Sequence, residues 1–143
     1  DYERPADEVF ESALEFIERD DPRPWFAFVN LFDAHWPYVP DAEARQRWVA
    51  PYDGPIDGYL FRSDRYPARY RPNSRDNAHL RELYDAEIWR LDQRTGEFLA
   101  RVDLDRRRVG LVLTSDHGEA LGEHGHYGHE GVLEPEISVP FLV

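Results

Sequence analysis

Apolar residues recur at intervals of three and four in two stretches of the chain, which is the pattern of an amphipathic helix. The first stretch runs from Pro5 to Arg19 and ends where the proline-containing segment 20–24 interrupts the backbone ladder. The second runs from Asp76 to Val102 and contains one tolerable glycine, Gly96. A shorter helix is predicted from Asp41 to Val49. The pattern therefore predicts three helices.

Two other stretches, Trp25 to Phe32 and Val109 to Thr114, are almost continuously apolar. Strands that are buried on both faces of a mainly parallel sheet have this composition. Because helices and strands alternate, the predicted fold class is α/β, with a mainly parallel sheet covered by helices on both faces. The last residues, Ile137 to Val143, read as a strand still in progress, so we expect residues 1–143 to form part of a larger domain.

The segment from Pro51 to Arg75 has no clean period and is interrupted by proline and glycine. Tyrosine and arginine alternate along it, and a loop this long in a compact domain is usually functional or mobile. Guanidinium groups match the geometry of sulfate and phosphate, so the loop could receive an anionic or carbohydrate-like substrate. A solvent-facing excursion, neutralised by its own acidic residues, explains the composition equally well.

Charge and composition exclude several classes of partner. The formal net charge of -12 argues against nucleic acid and anionic membrane surfaces. The absence of cysteine removes disulfides, thiolate metal ligands and a cysteine nucleophile from these 143 residues. The sequence shows no membrane segment and no signal peptide.

Asp116 and His117 follow the second apolar run directly and precede a glycine. Ligand sites in open α/β sheets lie at the carboxyl ends of strands, and a divalent cation accepts both carboxylate oxygen and imidazole as ligands. An Asp-His-Gly turn without a ligand accounts for the local sequence about equally well. The pair is thus a candidate metal site with an open alternative.

His35 follows the first apolar run and would lie at the same edge of the sheet. A histidine there could bind an anion or protonate a leaving oxygen, although a histidine packed in a Pro-aromatic turn is the simpler interpretation of that motif alone. His129 could fold back over Asp116 as a cationic partner for an oxyanion. His124 and His126 are interpreted as part of a solvated loop, and Asp33 as a turn or capping residue.

Together these motifs resemble the sulfatase branch of the alkaline phosphatase-like superfamily. The resemblance extends from about Trp25 to the end of the chain, and its motifs occur in the order of the family. They are His35-Trp36-Pro37-Tyr38; a helix with Tyr84, Glu87, Ile88, Asp92 and Gly96; Thr114-Ser115-Asp116-His117-Gly118-Glu119 with Gly122-Glu123-His124-Gly125; and Glu134 or Glu136 leading into Val139-Pro140.

The resemblance implies hydrolysis of a small-molecule or carbohydrate sulfate ester at a divalent metal ion. It implies that Asp116 and His117 are two of the metal ligands, that His35 contacts the sulfuryl group or assists the leaving group, and that His129 binds the ester oxyanion. Ca²⁺ is the expected ion, with Mn²⁺ or Zn²⁺ as alternatives.

The chain also departs from the family pattern. Neither a Cys/Ser-x-Pro-x-Arg nucleophile motif nor a pair of metal-binding aspartates on a candidate strand is found in it. We therefore expect a middle-to-late part of a sulfatase catalytic domain that is inactive by itself. A phosphodiesterase or phosphonate monoester hydrolase of the same superfamily, and a non-catalytic metal-binding remnant, are the alternative interpretations.

Overall fold

The computed structural model describes residues 4–59 and 70–143. Five helices and four short strands lie within this part of the chain. The helices are α1 (Ala6–Ile17), α2 (Ala42–Trp48), α3 (Ser74–Val102), α4 (Leu104–Arg107) and α5 (Glu134–Ile137). The strands are β1 (Leu113–Thr114), β2 (Ala120–Leu121), β3 (Tyr127–Gly128) and β4 (Phe141–Leu142), and a 3-10 turn spans Glu123–Gly125.

Helix α1 confirms the first predicted amphipathic stretch. Phe10, Leu14 and other apolar residues of one face are buried, and Phe10 stacks on Phe98 of α3 with ring centroids 4.5 Å apart. The backbone N–H of Ala6 donates to a carboxylate oxygen of Asp33 over 3.0 Å, which satisfies one of the free amides of the first turn. This contact agrees with the interpretation of Asp33 as a turn or capping residue, although Pro5 occupies the N-cap position of α1.

Helix α3 is the scaffold against which α1 and α2 pack. It begins at a capping box, in which the side chain of Asn73 accepts from the backbone N–H of Asp76 and Asp76 accepts from that of Asn73. Leu80 and Leu83 of α3 enter a buried cluster with Tyr38 and Leu121. Two members of this cluster lie close in sequence to candidate site residues: Tyr38 follows His35, and Leu121 follows His117.

The strands form two antiparallel pairs rather than a parallel sheet. Leu113 pairs with Leu142 between β1 and β4, and Ala120 pairs with Gly128 between β2 and β3. The α/β composition is present, but within residues 4–59 and 70–143 no parallel pairing is found. A covered parallel sheet therefore stays a prediction from the resemblance.

The prediction that Trp25 to Phe32 forms a buried central strand is wrong for the described structure. The segment belongs to no strand, and Phe26 and Phe28 are 84% and 81% exposed. Exposed and half-buried positions alternate along it. The reason is physical: a strand is buried on both faces only where neighbouring strands and covering layers meet it, and nothing in the described residues pairs with this segment.

Other expected boundaries also change. The strand from Val109 to Thr114 is reduced to the two residues of β1, and segment 137–143 contributes only the end of α5 and then β4. Residues 60–69 of the predicted Pro51–Arg75 loop lie outside the described residues. None of the helices in the part that the structure describes is long and apolar enough to span a membrane.

Candidate active site

Three histidines from separate parts of the chain meet at one place. One nitrogen from each of His35, His117 and His129 lies within 4.8 Å of the other two. The rings of His117 and His129 stack at a centroid separation of 3.9 Å, and the ring of His35 lies 5.2 Å from that of His129. The three residues that the sequence singled out are thus neighbours in space.

His35 is held by a turn whose far end is buried. Its backbone N–H donates to the carbonyl of Phe32 over 2.9 Å, closing the turn that follows the exposed apolar segment. Three residues later, Tyr38 is fully buried in the core cluster, and its backbone N–H donates to the carbonyl of Gly58 over 3.2 Å. Because Tyr38 is fixed in the core, the preceding turn presents His35 in one position.

Asp116 and His117 lie in the turn after β1, and this turn is bound to α5. The hydroxyl of Ser115 donates to the carbonyl of His117 over 2.6 Å, and the backbone N–H of Gly118 donates to the carbonyl of Glu136 over 2.7 Å. A β-carbon at position 118 would come within 2.1 Å of the carbonyl oxygen of Pro135. Glycine is therefore required for the turn to approach α5 so closely.

A short hairpin brings His129 back to the same place. Ala120 pairs with Gly128, so continuing the β2–β3 register by one residue puts Glu119 opposite His129. The Nδ1 of His129 lies 2.9 Å from one carboxylate oxygen of Glu119, whose side chain is only 3% exposed. The hydroxyl of Tyr38 donates to the other oxygen over 2.8 Å.

The hydrogen bonds assign the same tautomer to all three rings. The Nδ1 of His35 lies 2.7 Å from the carbonyl oxygen of Trp36, and that of His117 lies 3.0 Å from the carbonyl oxygen of Gly118. Carbonyl and carboxylate oxygens only accept, so each Nδ1 carries the proton and donates it. In the neutral rings Nε2 is then the nitrogen with the free lone pair, which is how metal-binding histidines are usually oriented.

Asp116 is not a member of the three-histidine group, but it offers an exposed carboxylate oxygen next to His117. Its side chain is 86% exposed, and its Oδ1 lies 3.9 Å from the Nε2 of His117. The same oxygen accepts from the backbone N–H of His117 over 3.1 Å. A hard oxygen and an imidazole nitrogen side by side suit a divalent cation, so the pair fits the first two ligands of such an ion.

Other candidate residues are not brought to the site. His124 and His126 are exposed in the 3-10 turn region and are not members of the histidine cluster, in agreement with their interpretation as solvated loop residues. Within the loop from Pro51 to Arg75, the hydroxyls of Tyr52 and Tyr70 donate to Asp76. Arg75 forms an ion pair with Asp53 at 2.7 Å. These contacts are structural, and they leave the predicted substrate role of the loop without support in the described residues.

Two residues at the site, Glu119 and Tyr38, had no role assigned from the sequence. Both belong to the quoted motifs, but each motif was interpreted through its histidine. A signal for Glu119 is the glycine-rich hairpin: with Gly122 and Gly125 at its turn, Glu119 and His129 fall at its two ends. No comparable local signal points to Tyr38, which lies 81 positions before Glu119.

The chain has a clear relationship to a known family. The model of the Sulfatase family matches residues 2–143, so the chain belongs to the sulfatase family. That family consists of sulfatase-type hydrolases, generally metal-dependent, with an alkaline phosphatase-like α/β fold. No solved structure matches the chain.

Proposed function

We propose that this chain supplies part of the active site of a metal-dependent sulfatase, which hydrolyses a small-molecule or carbohydrate sulfate ester. The observation that carries the proposal is the convergence of His35, His117 and His129, with Asp116 beside them. Segments 81 positions apart in sequence are joined there through a buried hydrogen bond. Such a buried connection is expected of a preorganised site rather than of a solvated histidine-rich loop.

Asp116 and His117 are the proposed metal ligands. When bound, a divalent ion supplies Lewis-acid polarisation of the ester oxygens. The hydrogen bond from Nδ1 of His117 to the carbonyl of Gly118 orients the ring and leaves Nε2 for the ion. Ca²⁺ agrees with the exposed carboxylate, whereas the imidazole also suits Mn²⁺ or Zn²⁺.

His35 and His129 are the proposed substrate contacts. Their free Nε2 atoms lie on the side of the rings away from the protein acceptors, so in the protonated form they donate to sulfuryl oxygens through charge-assisted hydrogen bonds. His35 is also placed to give a proton to the leaving oxygen. His129 binds the oxyanion, and the stacked ring of His117 restricts its motion.

The proposed reaction is in-line attack on sulfur by a nucleophile that these 143 residues do not contain as a Cys/Ser-x-Pro-x-Arg motif. The remaining metal ligands are likewise proposed to come from elsewhere in the catalytic domain. We therefore predict that the 143-residue chain alone has no turnover. Measurable release of sulfate by the purified chain would contradict this.

The test of the function is turnover by a catalytic domain that contains both this chain and the nucleophile motif. Aryl sulfates are expected to be cleaved with higher kcat/KM than aryl phosphate diesters or phosphonate monoesters. His35→Asn and His129→Gln are each expected to lower kcat/KM by roughly 10²-fold, the scale of one lost oxyanion donor. The matched control, His124→Gln, should leave turnover unchanged. Absence of turnover with every ester would favour the non-catalytic metal-binding remnant.

A second candidate, a phosphodiesterase or phosphonate monoester hydrolase, is favoured by one observation. The donor beside Asp116 is an imidazole, and it belongs to a cluster of three, which shifts the site toward Mn²⁺ or Zn²⁺. Higher kcat/KM for a phosphate diester than for the matched sulfate would select this candidate.

A further inference from the structure

We propose that Glu119, held by Tyr38, is the positioning residue of His129: it fixes the ring so that Nδ1 donates to the carboxylate and Nε2 points into the histidine cluster. What Nε2 does there rests on the proposed function, but the positioning itself does not. The chain of contacts is Tyr38 hydroxyl, Glu119 carboxylate, His129 imidazole.

Each oxygen of the carboxylate has one partner. Oε2 accepts from the Tyr38 hydroxyl over 2.8 Å, and Oε1 lies 2.9 Å from Nδ1 of His129. The side chain of Glu119 is almost completely buried, whereas that of His129 is 33% exposed. The carboxylate is thus an internal support, and the imidazole is the part of the chain of contacts that reaches solvent.

Burial of the Glu119 carboxylate determines which nitrogen of His129 faces it. A carboxylate away from water needs its hydrogen-bond partners, and removing one leaves an unsatisfied buried group. The Nδ1–H of His129 is therefore held toward Glu119, and the tautomer of an imidazole follows from the bond that its other nitrogen makes. The register of the β2–β3 hairpin, continued by one residue, sets the backbones of the two residues opposite each other.

Tyr38 fixes the far end of the carboxylate. Its ring is completely buried against the core, and it lies edge-on to Tyr84 with centroids 5.3 Å apart. Burial first, and then the charge of Glu119, raise the pKa of the Tyr38 hydroxyl well above its usual range, so it remains a donor. His35 belongs to the same turn as Tyr38. The support therefore couples the positions of the two histidines proposed to contact substrate.

The test is ¹⁵N NMR of the chain with labelled imidazoles, in which the ring of His129 is assigned from a His129→Gln spectrum. The nitrogen shifts of a neutral ring report which nitrogen carries the proton. The wild-type chain is expected to show His129 as the Nδ1–H tautomer. Glu119→Leu is expected to shift it to the Nε2–H tautomer or a mixture, and Glu119→Gln, whose amide oxygen still accepts, is expected to retain Nδ1–H. The matched control, Glu130→Gln, replaces an exposed acid next to His129 and should leave the tautomer of His129 unchanged.

The proposal is overturned if wild-type His129 is the Nε2–H tautomer, a result that needs no variant to fold. It is also overturned if Glu119→Leu, with an otherwise native amide spectrum, retains Nδ1–H. Should Glu119→Leu fail to fold, loss of the Nδ1–H tautomer in Glu119→Gln would count against the proposal in its place.

A second readout separates this proposal from the proposed function. In a catalytic domain with a nucleophile, Glu119→Leu is expected to reduce kcat by roughly 10- to 100-fold, the usual effect of losing an orienting partner, with Glu119→Gln restoring most of it. The Nδ1–H tautomer without any ester turnover would overturn the function and leave the positioning intact. Turnover unaffected by the loss of that tautomer would overturn the positioning role and leave the function intact.

Discussion

Two buried acids in this protein, Asp76 and Glu119, both accept hydrogen bonds from tyrosine hydroxyls but serve different ends. Asp76 accepts from Tyr52 and Tyr70 over 2.5 Å each and from the backbone N–H of Asn73 over 2.8 Å. These three hydrogen-bond donors lie at the start of α3 or in the loop before it. Glu119 has one tyrosine and one histidine, and the histidine is part of the open cluster.

The difference lies in where the hydrogen bonds end. The hydrogen bonds that Asp76 accepts come from two tyrosine hydroxyls and a backbone amide, so they stabilise the N-terminus of α3. The network around Glu119 ends in an imidazole whose second nitrogen has no hydrogen-bond partner among residues 4–59 and 70–143. Asp76 is thus assigned a structural role at the start of α3, whereas Glu119 is proposed to support the candidate site.

The largest expected effect is a loss of metal affinity when the candidate site, and not the region around Asp76, is changed. His117→Ala is expected to weaken Mn²⁺ binding by at least about 10- to 100-fold, because a direct ligand contributes no less than an orienting partner does. Isothermal titration calorimetry measures it, and the unfolding midpoint should change little. His126→Ala is the matched control with unchanged affinity. An equal loss of affinity in both variants would contradict the assignment.

Asp76→Asn should show the reverse of His117→Ala: a loss of stability with no loss of metal affinity. It weakens the capping box and leaves two tyrosine hydroxyls with a poorer acceptor, so unfolding in urea is expected to require about 1–3 kcal/mol less at pH 7, with metal binding unchanged. Burial alone would raise the pKa of Asp76, but the hydrogen bonds from Tyr52, Tyr70 and Asn73 lower it below 3.8. Its stabilisation is therefore present above about pH 4 and is lost as the pH falls through the folded-state pKa, so the variant and wild type should converge in acid. A difference that stays constant into acid would contradict this.

Glu87 provides a smaller effect with the opposite pH dependence. Burial raises the pKa of Glu87 from 4.5 to about 7; a hydrogen bond with the backbone of Val39 opposes the shift, and the charges of Asp33 and Asp41 add to it. The folded state favours the neutral acid, so its contribution to stability is full below about pH 4.5 and declines as the pH rises to about 7. Glu87→Gln should not show this decline and should be about 1 kcal/mol more stable than wild type at pH 8, allowing for solvent screening. Identical pH profiles of the unfolding free energy would count against it.

The smallest expected effect concerns the exposed histidines. His124→Gln and His126→Gln should each change Mn²⁺ affinity less than about twofold, because both side chains are exposed and neither belongs to the histidine cluster found among residues 4–59 and 70–143. Calorimetry on both variants provides the measurement. A larger loss of Mn²⁺ affinity would mean that the metal site extends into the 3-10 turn, and would contradict the exclusion of His124 and His126 from it.

Helices were predictable from sequence where a local signal is complete. The period of α3 and its Asn73 cap are both contained in consecutive residues, and α1 is likewise delimited by Pro5 and the proline segment after Arg19. The strand from Trp25 to Phe32 was not, because burial of a strand depends on partners that its own sequence does not encode. The substrate role of the loop from Pro51 to Arg75 remains a prediction, and residues 60–69 of that loop lie outside the described residues.

In the site, too, residues within local motifs were predictable, whereas those that depend on distant partners were not. The motifs point to His35, His117 and His129, and the three histidines do meet in space. They do not meet at the predicted edge of a parallel sheet, because the segment before His35 belongs to no strand. Their roles and those of Asp116 remain proposals. Glu119 was missed because its function depends on a hairpin register and on a tyrosine 81 positions away.

The most direct test of the central claim, that one open site joins these segments, is paramagnetic broadening by Mn²⁺ in the NMR spectrum of the imidazoles. Substoichiometric Mn²⁺ is expected to broaden the ring signals of His35, His117 and His129 first and most strongly. The signals of the exposed His124 and His126, and of His79, which is buried and stacks on Tyr52, are expected to broaden less. Preferential broadening of His124 and His126, with His35 unaffected, would contradict it.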